Sequence, residues 1–124
     1  MNLFIILFLI ILSGSTKAHQ FTPTYPELSL SFIQGVYKTE MLIFNSRQDI
    51  SYYALGVFDI DWKPVKFATE NRLIKMQHLE RKYINIYIRK EDRKSARYIC
   101  SKSKTLAEEQ KSSIVTSRIC SKIK

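Results

Sequence analysis

Cysteine, histidine, glycine, proline and tryptophan are all scarce here: two, two, three, three and one in 124 residues. Each scarcity excludes something. Two histidines, His19 and His78, and two isolated cysteines, Cys100 and Cys120, give no metal-ligand spacing, so no metal site and no cofactor is expected. No Ser-His-Asp or Cys-His arrangement can be assembled, and the reading is a protein that is not an enzyme. Asp59 and Asp61 stand two apart and could share a sheet face as an acid-base pair, yet beside Trp62-Lys63-Pro64 they read as solvated turn residues. His78 lies in a polar stretch and is expected to be exposed. Glycine and proline are too few to build a linker, and no internal repeat or low-complexity block is present.

Long apolar runs are also missing, with one exception. Leu3 to Leu12 are ten consecutive apolar residues. A bilayer-spanning helix needs about 20. The run fits the h-region of a secretory signal peptide, and Thr16-Lys17-Ala18 is a tolerable cleavage box, although the n-region carries no Lys or Arg. The competing reading is an uncleaved anchor. Residues 1–18 are therefore read as a signal peptide and 19–124 as one domain, periplasmic or secreted, with no stable membrane span after cleavage. In an oxidising compartment the two thiols point to a disulfide rather than a metal pair.

Acidic residues are scarce toward the end of the chain. The formal net charge is +9. His19 to Glu80 carries 6 basic and 7 acidic residues, whereas Arg81 to Lys124 carries 13 and 4. Such asymmetry can mark an anionic partner or a lysine-rich solvated surface.

What is present is strand chemistry. Leu28, Leu30 and Phe32 alternate with serines, and Gln34-Gly35 can turn. Tyr37–Phe44 and Ser51–Ile60 are strands rich in apolar, aromatic and β-branched residues, separated by the polar turn 45–49. Val65–Ala68 is a candidate short strand, and Arg72–Met76 leads to the next element. Ile84, Ile86 and Ile88 alternate with Tyr83, Asn85 and Tyr87 in the clearest strand of the chain. RYICS and SSIVTSRICSKI follow, with TLAEEQK between them, a loop or a single helical turn. About seven short strands, with turns about every 8–12 residues, predict an all-β, immunoglobulin-like sandwich. Tyr52, Tyr53, Phe58, Leu73, Ile84, Ile86 and Ile99 are the candidate core, and Trp62 is a packing residue. If RYICS and SSIVTSRICSKI are antiparallel neighbours, Cys100 and Cys120 face one another across the pair.

Three stretches, YALGVFDID, FATENRLIKM and KYINIYIRK, are followed by ARYICSKSK and then Cys120-Ser121-Lys122. This series resembles the N-terminal immunoglobulin-like domain of periplasmic pilus-assembly chaperones of the chaperone-usher pathway, over roughly Glu27 to Lys122. The resemblance implies edge-strand pairing with a pilus subunit, an usher as a further partner, and a lysine that holds the subunit's terminal carboxylate. Lys122 matches that lysine, two residues past the second cysteine, and Val115 and Ile119 fall in the donated strand. Three departures stand out. His19 to Gln34 contains no Arg or Lys to match the family's first-strand arginine. The face Ser113, Val115, Ser117, Ile119 is half serine. The family's second domain lies beyond the residues that match.

A second class of function is a basic secreted module that binds an anionic surface or polymer through Arg81, Lys82, Arg89, Lys90, Arg93, Lys94 and Arg97. Tyr83, Tyr87 and Tyr98 accompany these charges but read as sheet surface, so nucleic acid is not the expected ligand.

Overall fold

A computed structural model describes residues 19–104 and 116–124. The expected signal peptide, TLAEEQK and Val115 lie outside the described residues. Among the described residues there is no helix, and eight strand segments form two four-stranded sheets. They are β1 (Gln20–Thr22), β2 (Ser29–Leu30), β3 (Val36–Phe44), β4 (Tyr52–Phe58), β5 (Leu73–Lys75), β6 (Arg81–Arg89), β7 (Tyr98–Lys104) and β8 (Arg118–Lys122). The all-β, immunoglobulin-like expectation holds.

In the first sheet β6 runs along one side of β3, and β1 and β2 share the other. The second sheet has the order β5-β4-β7-β8, all antiparallel, with β8 at an edge. Period-2 alternation sets which side chains meet between the sheets. Met41 and Ile43 of β3 and Ile84, Ile86 and Ile88 of β6 point inward. They face Tyr53, Leu55 and Val57 of β4, Ile74 of β5 and Ile99 of β7. Each fully buried aliphatic side chain stabilises the sandwich by about 1.5–3 kcal/mol.

Parity explains where the core differs from expectation. Tyr53, Ile84, Ile86 and Ile99 are buried as expected. Leu73 is 49% exposed, because Tyr53 pairs with Ile74 and partners across a ladder share a face. Ile74 therefore goes in and Leu73 goes out. Tyr52 and Phe58 have the opposite parity to Tyr53 and sit half-buried on the outward face.

The strand expected from Leu28 to Phe32 is cut short. Leu28 is buried, but Leu30 and Phe32 are 75% and 101% exposed. The Ser31 hydroxyl and amide both donate to Val36 O, at 2.7 and 3.1 Å, and close the hairpin early. Gly35 completes the turn at φ +74°, a conformation open to glycine. Val65–Ala68 is not a strand; Pro64 and Ala68 make isolated bridges to Phe58 and Tyr87.

Candidate partner-binding edge

Cys100 and Cys120 pair in register on β7 and β8, with Cα atoms 4.1 Å apart, and are joined by a disulfide. That close spacing marks a non-hydrogen-bonded pair of an antiparallel ladder. It fixes the direction of every backbone group on β8. Residues 119 and 121 bond inward to β7, while the N–H and C=O groups of Arg118, Cys120 and Lys122 point away from it. The outward Lys122 N–H donates to Thr24 O at 3.0 Å, and Lys124 N–H donates to Pro26 O at 3.0 Å. Residues 24–26 thus strap the lower half of the edge. Among the described residues no backbone bond reaches the outward amides of Arg118 and Cys120. Among the described residues the upper half of β8 is thus an edge with no outward backbone bond, close beside β1 and tied covalently to β7.

Side chains on β8 alternate accordingly. Ile119 is half-buried against the core, and Ser121 and Ile123 are buried. Arg118 and Lys122 are exposed on the outward face, where Lys122 stands across from Tyr98. The serine-containing face noted in the sequence is therefore turned into the sandwich over the described part of the strand.

One polar constellation beneath this edge was not anticipated. His19 is buried, with Nε2 2.7 Å from Ser101 Oγ and Nδ1 3.1 Å from Ser117 Oγ. Its ring packs on Tyr53 at 4.5 Å between centroids. Ser103 Oγ accepts the Ser117 N–H at 2.7 Å. Burial lowers the His19 pKa to about 4, against the opposing pull of its bond to Ser101. The imidazole is neutral at ordinary pH and ties the start of the domain to β7 and β8. Tyr53 Oη donates to Asn45 Oδ1 at 2.6 Å, and burial raises the phenol pKa to about 12. Asn45 Nδ2 donates to Ile50 O and Gln77 O at 2.9 and 3.1 Å. The signal was in the sequence: Ser101 and Ser103 share the parity of Ile99, so inward serines require polar partners.

The cations named from the sequence do not form one patch. Arg81 and Lys82 begin β6 and Arg89 ends it, about 27 Å away at 3.4 Å per residue. Arg89, Lys90, Arg93, Lys94 and Arg97 do line one open cleft with Gln34, Val36 and Tyr37. Within it Arg89 is neutralised by Glu91 and Asp92, and the Arg93 guanidinium lies 4.3 Å from the Tyr37 ring centre. Asp59 serves its own turn, its Oδ1 accepting the Asp61 and Lys63 amides at 2.9 Å each. His78 is exposed.

The two-sheet, immunoglobulin-like fold is one that solved periplasmic chaperones share. No protein-family model matches the chain, and no curated protein matches it. Among solved structures it is similar to the Escherichia coli chaperone DraB, with a TM-score of 0.58 and 13% identity over 86% of this chain and 53% of that one. It is also similar to the periplasmic chaperone SfaE, with a TM-score of 0.54 and 14% identity over 86% of this chain and 56% of that one. The chain spans about half the length of these chaperones, and the likeness fits their N-terminal domain. The disulfide is consistent with an oxidising compartment.

Proposed function

We propose that this chain is an exported chaperone-like or accessory domain that binds a protein partner, a pilus subunit in the first instance, by pairing along the open edge of β8. The carrying observation is the outward backbone of Arg118 and Cys120, unpaired among the described residues, on a strand that a disulfide holds in place. Strand addition draws its affinity from main-chain hydrogen bonds, so it needs a rigid edge more than large donated side chains. That answers the serine-containing face: the backbone is the offered element. Lys122, exposed just below the open segment, is the residue assigned to the partner's terminal carboxylate, where a charge-assisted bond would fix register. An usher-type assembly protein is the second partner this reading implies.

The test is co-purification with a matched pilus subunit, scored together with protection of that subunit from aggregation. Arg118→Pro removes the outward amide and leaves the inward ladder bonds in place, so it should abolish capture in a folded protein. Lys122→Ala should weaken capture about tenfold, the loss of one charge-assisted bond. A subunit left unprotected by the wild-type protein, or captured equally by Arg118→Pro, ends the reading.

A further inference from the structure

The outward face of the second sheet carries an arrangement that, beyond Arg118 and Lys122 at the β8 edge, strand pairing does not use. Register places its side chains in rows across the strands. Lys75, Tyr52 and Lys104 form one row, and Leu73, Ala54, Lys102 and Arg118 the next. Gly56 and the disulfide form the third, and Phe58, Tyr98 and Lys122 the fourth. No acidic residue occurs among these positions. Lys102 and Lys104 lie about 7 Å apart along β7, and Lys75 and Lys104 about 10 Å apart across two strands. Among the described residues none of the four cations Lys75, Lys102, Lys104 and Arg118 has a carboxylate partner.

The middle of this face is hollowed. Gly56 stands across from Cys100, and a groove of about 220 Å³ opens there, lined by Gly56, Phe58, Cys100, Lys102, Lys104 and Arg118. Beside the groove, past Phe58 and Arg118 of its lining, stands an aromatic stack. Trp62 lies flat on Tyr98 at 4.2 Å and 7°, and the Arg118 guanidinium lies 4.8 Å from the Trp62 ring centre. Trp62 adopts φ +62° where it closes the Asp59–Lys63 turn, its N–H donating to Asp59 O at 3.1 Å and the Asp59 N–H to Lys63 O at 2.9 Å.

We infer that this face binds a linear acidic polysaccharide, with Lys75, Lys102, Lys104 and Arg118 meeting its sulfate or carboxylate groups across the groove and the Trp62–Tyr98 stack beside it. The alternatives fit worse. Single-stranded nucleic acid needs free aromatic faces, and Trp62 is already stacked on Tyr98 with Arg118 over it. A membrane needs apolar side chains to insert, and this face offers only Leu73 as a well-exposed aliphatic. A peptide is recognised by an edge, which here is the separate β8 pairing site, or by apolar anchor pockets, which the charged rows of this face do not supply. The cleft at Arg89–Arg97 is a different surface, partly neutralised by its own carboxylates.

Trp62 is the single tryptophan of the chain, so its emission reports on this site. The full chain is titrated with a size-defined heparin oligosaccharide, an oligouronate, neutral dextran and a single-stranded oligonucleotide, at low and high salt. The expected result is a Trp62 emission change with the two acidic glycans and not with dextran, weakening steeply as salt rises. The double variant Lys102→Ser/Lys104→Ser lowers that affinity at least tenfold, and Lys75→Ser lowers it independently. The double variant Lys90→Ser/Lys94→Ser leaves it unchanged. All three variants retain subunit capture, which separates this site from the edge. No emission change, equal binding of dextran, tighter binding of the oligonucleotide, or loss through Lys90 and Lys94 instead of Lys102 and Lys104 would each overturn the inference.

Discussion

Acidification should unlock the domain through His19. The imidazole is buried between Tyr53, Ser101 and Ser117, and burial lowers its pKa from the ordinary 6.5 to about 4. In the unfolded chain it titrates near its ordinary value. Above pH 6.5 the ring is neutral in both states and contributes no pH dependence. Between pH 6.5 and about 4 the unfolded chain binds a proton that the folded chain refuses, so stability falls as pH drops. The limiting slope is about 1.4 kcal/mol per pH unit, or about 3 kcal/mol over the interval. Ser117 leaves one side of the ring only partly buried, and screening there reduces the expected loss to about 2 kcal/mol. Urea denaturation at pH 7.5, 6.5, 5.5 and 4.5 measures it. His19→Gln keeps a polar group in the site and cannot titrate, so its curve should be flatter by that amount. Parallel wild-type and His19→Gln curves across the interval would refute the assignment, since the remaining acid dependence would then belong to carboxylates.

Three further outcomes are expected. Reduction of Cys100–Cys120, or the double serine variant, should cost about 3 kcal/mol for the loop of 20 residues it closes, read by thermal or urea melts. Asn45→Ala should cost about 2–4 kcal/mol, because it strands the Tyr53 hydroxyl and the carbonyls of Ile50 and Gln77 in the interior; Tyr53→Phe in the same background should recover part of the loss. Gly56→Ala would place a Cβ 2.8 Å from Phe58 Cε2, so the ring must swing aside. Stability should change by less than about 1 kcal/mol, since the neighbour is the far end of a mobile side chain. The Trp62 emission should shift, however, because Phe58 and Trp62 are in contact at 6.2 Å between ring centres.

The sandwich was legible because most of its strands alternate cleanly. Ile84, Ile86 and Ile88 name their own inward face, and Cys100 and Cys120 sit where an antiparallel pair would join them. Parity was not legible where a strand is short. LIK in β5 offers either Leu73 or Ile74, and only its pairing with Tyr53 decides. The path of residues 20–30 was hidden for a similar reason. Its two short strands flank a proline-containing segment that leaves β3 to bond β8, and no local pattern announces a change of sheet. His19 was missed because a lone histidine at the start of a domain carries no periodic signal. Its burial depends on serines some 82 and 98 residues away. The cationic face was invisible because its members come from β5, β7 and β8, and only the ladder registers bring them together.

Thr24 and Pro26 already occupy the lower stretch of β8. On the proposed pairing, a visiting polypeptide would meet a resident after Cys120, and the host itself would measure out how much guest backbone it accepts. A guest that continues further must evict the strap and replace two main-chain bonds, at about 1 kcal/mol net each, or roughly thirtyfold in affinity. Short guests dock at once, whereas long ones carry a threshold set by the host's own N-terminal segment.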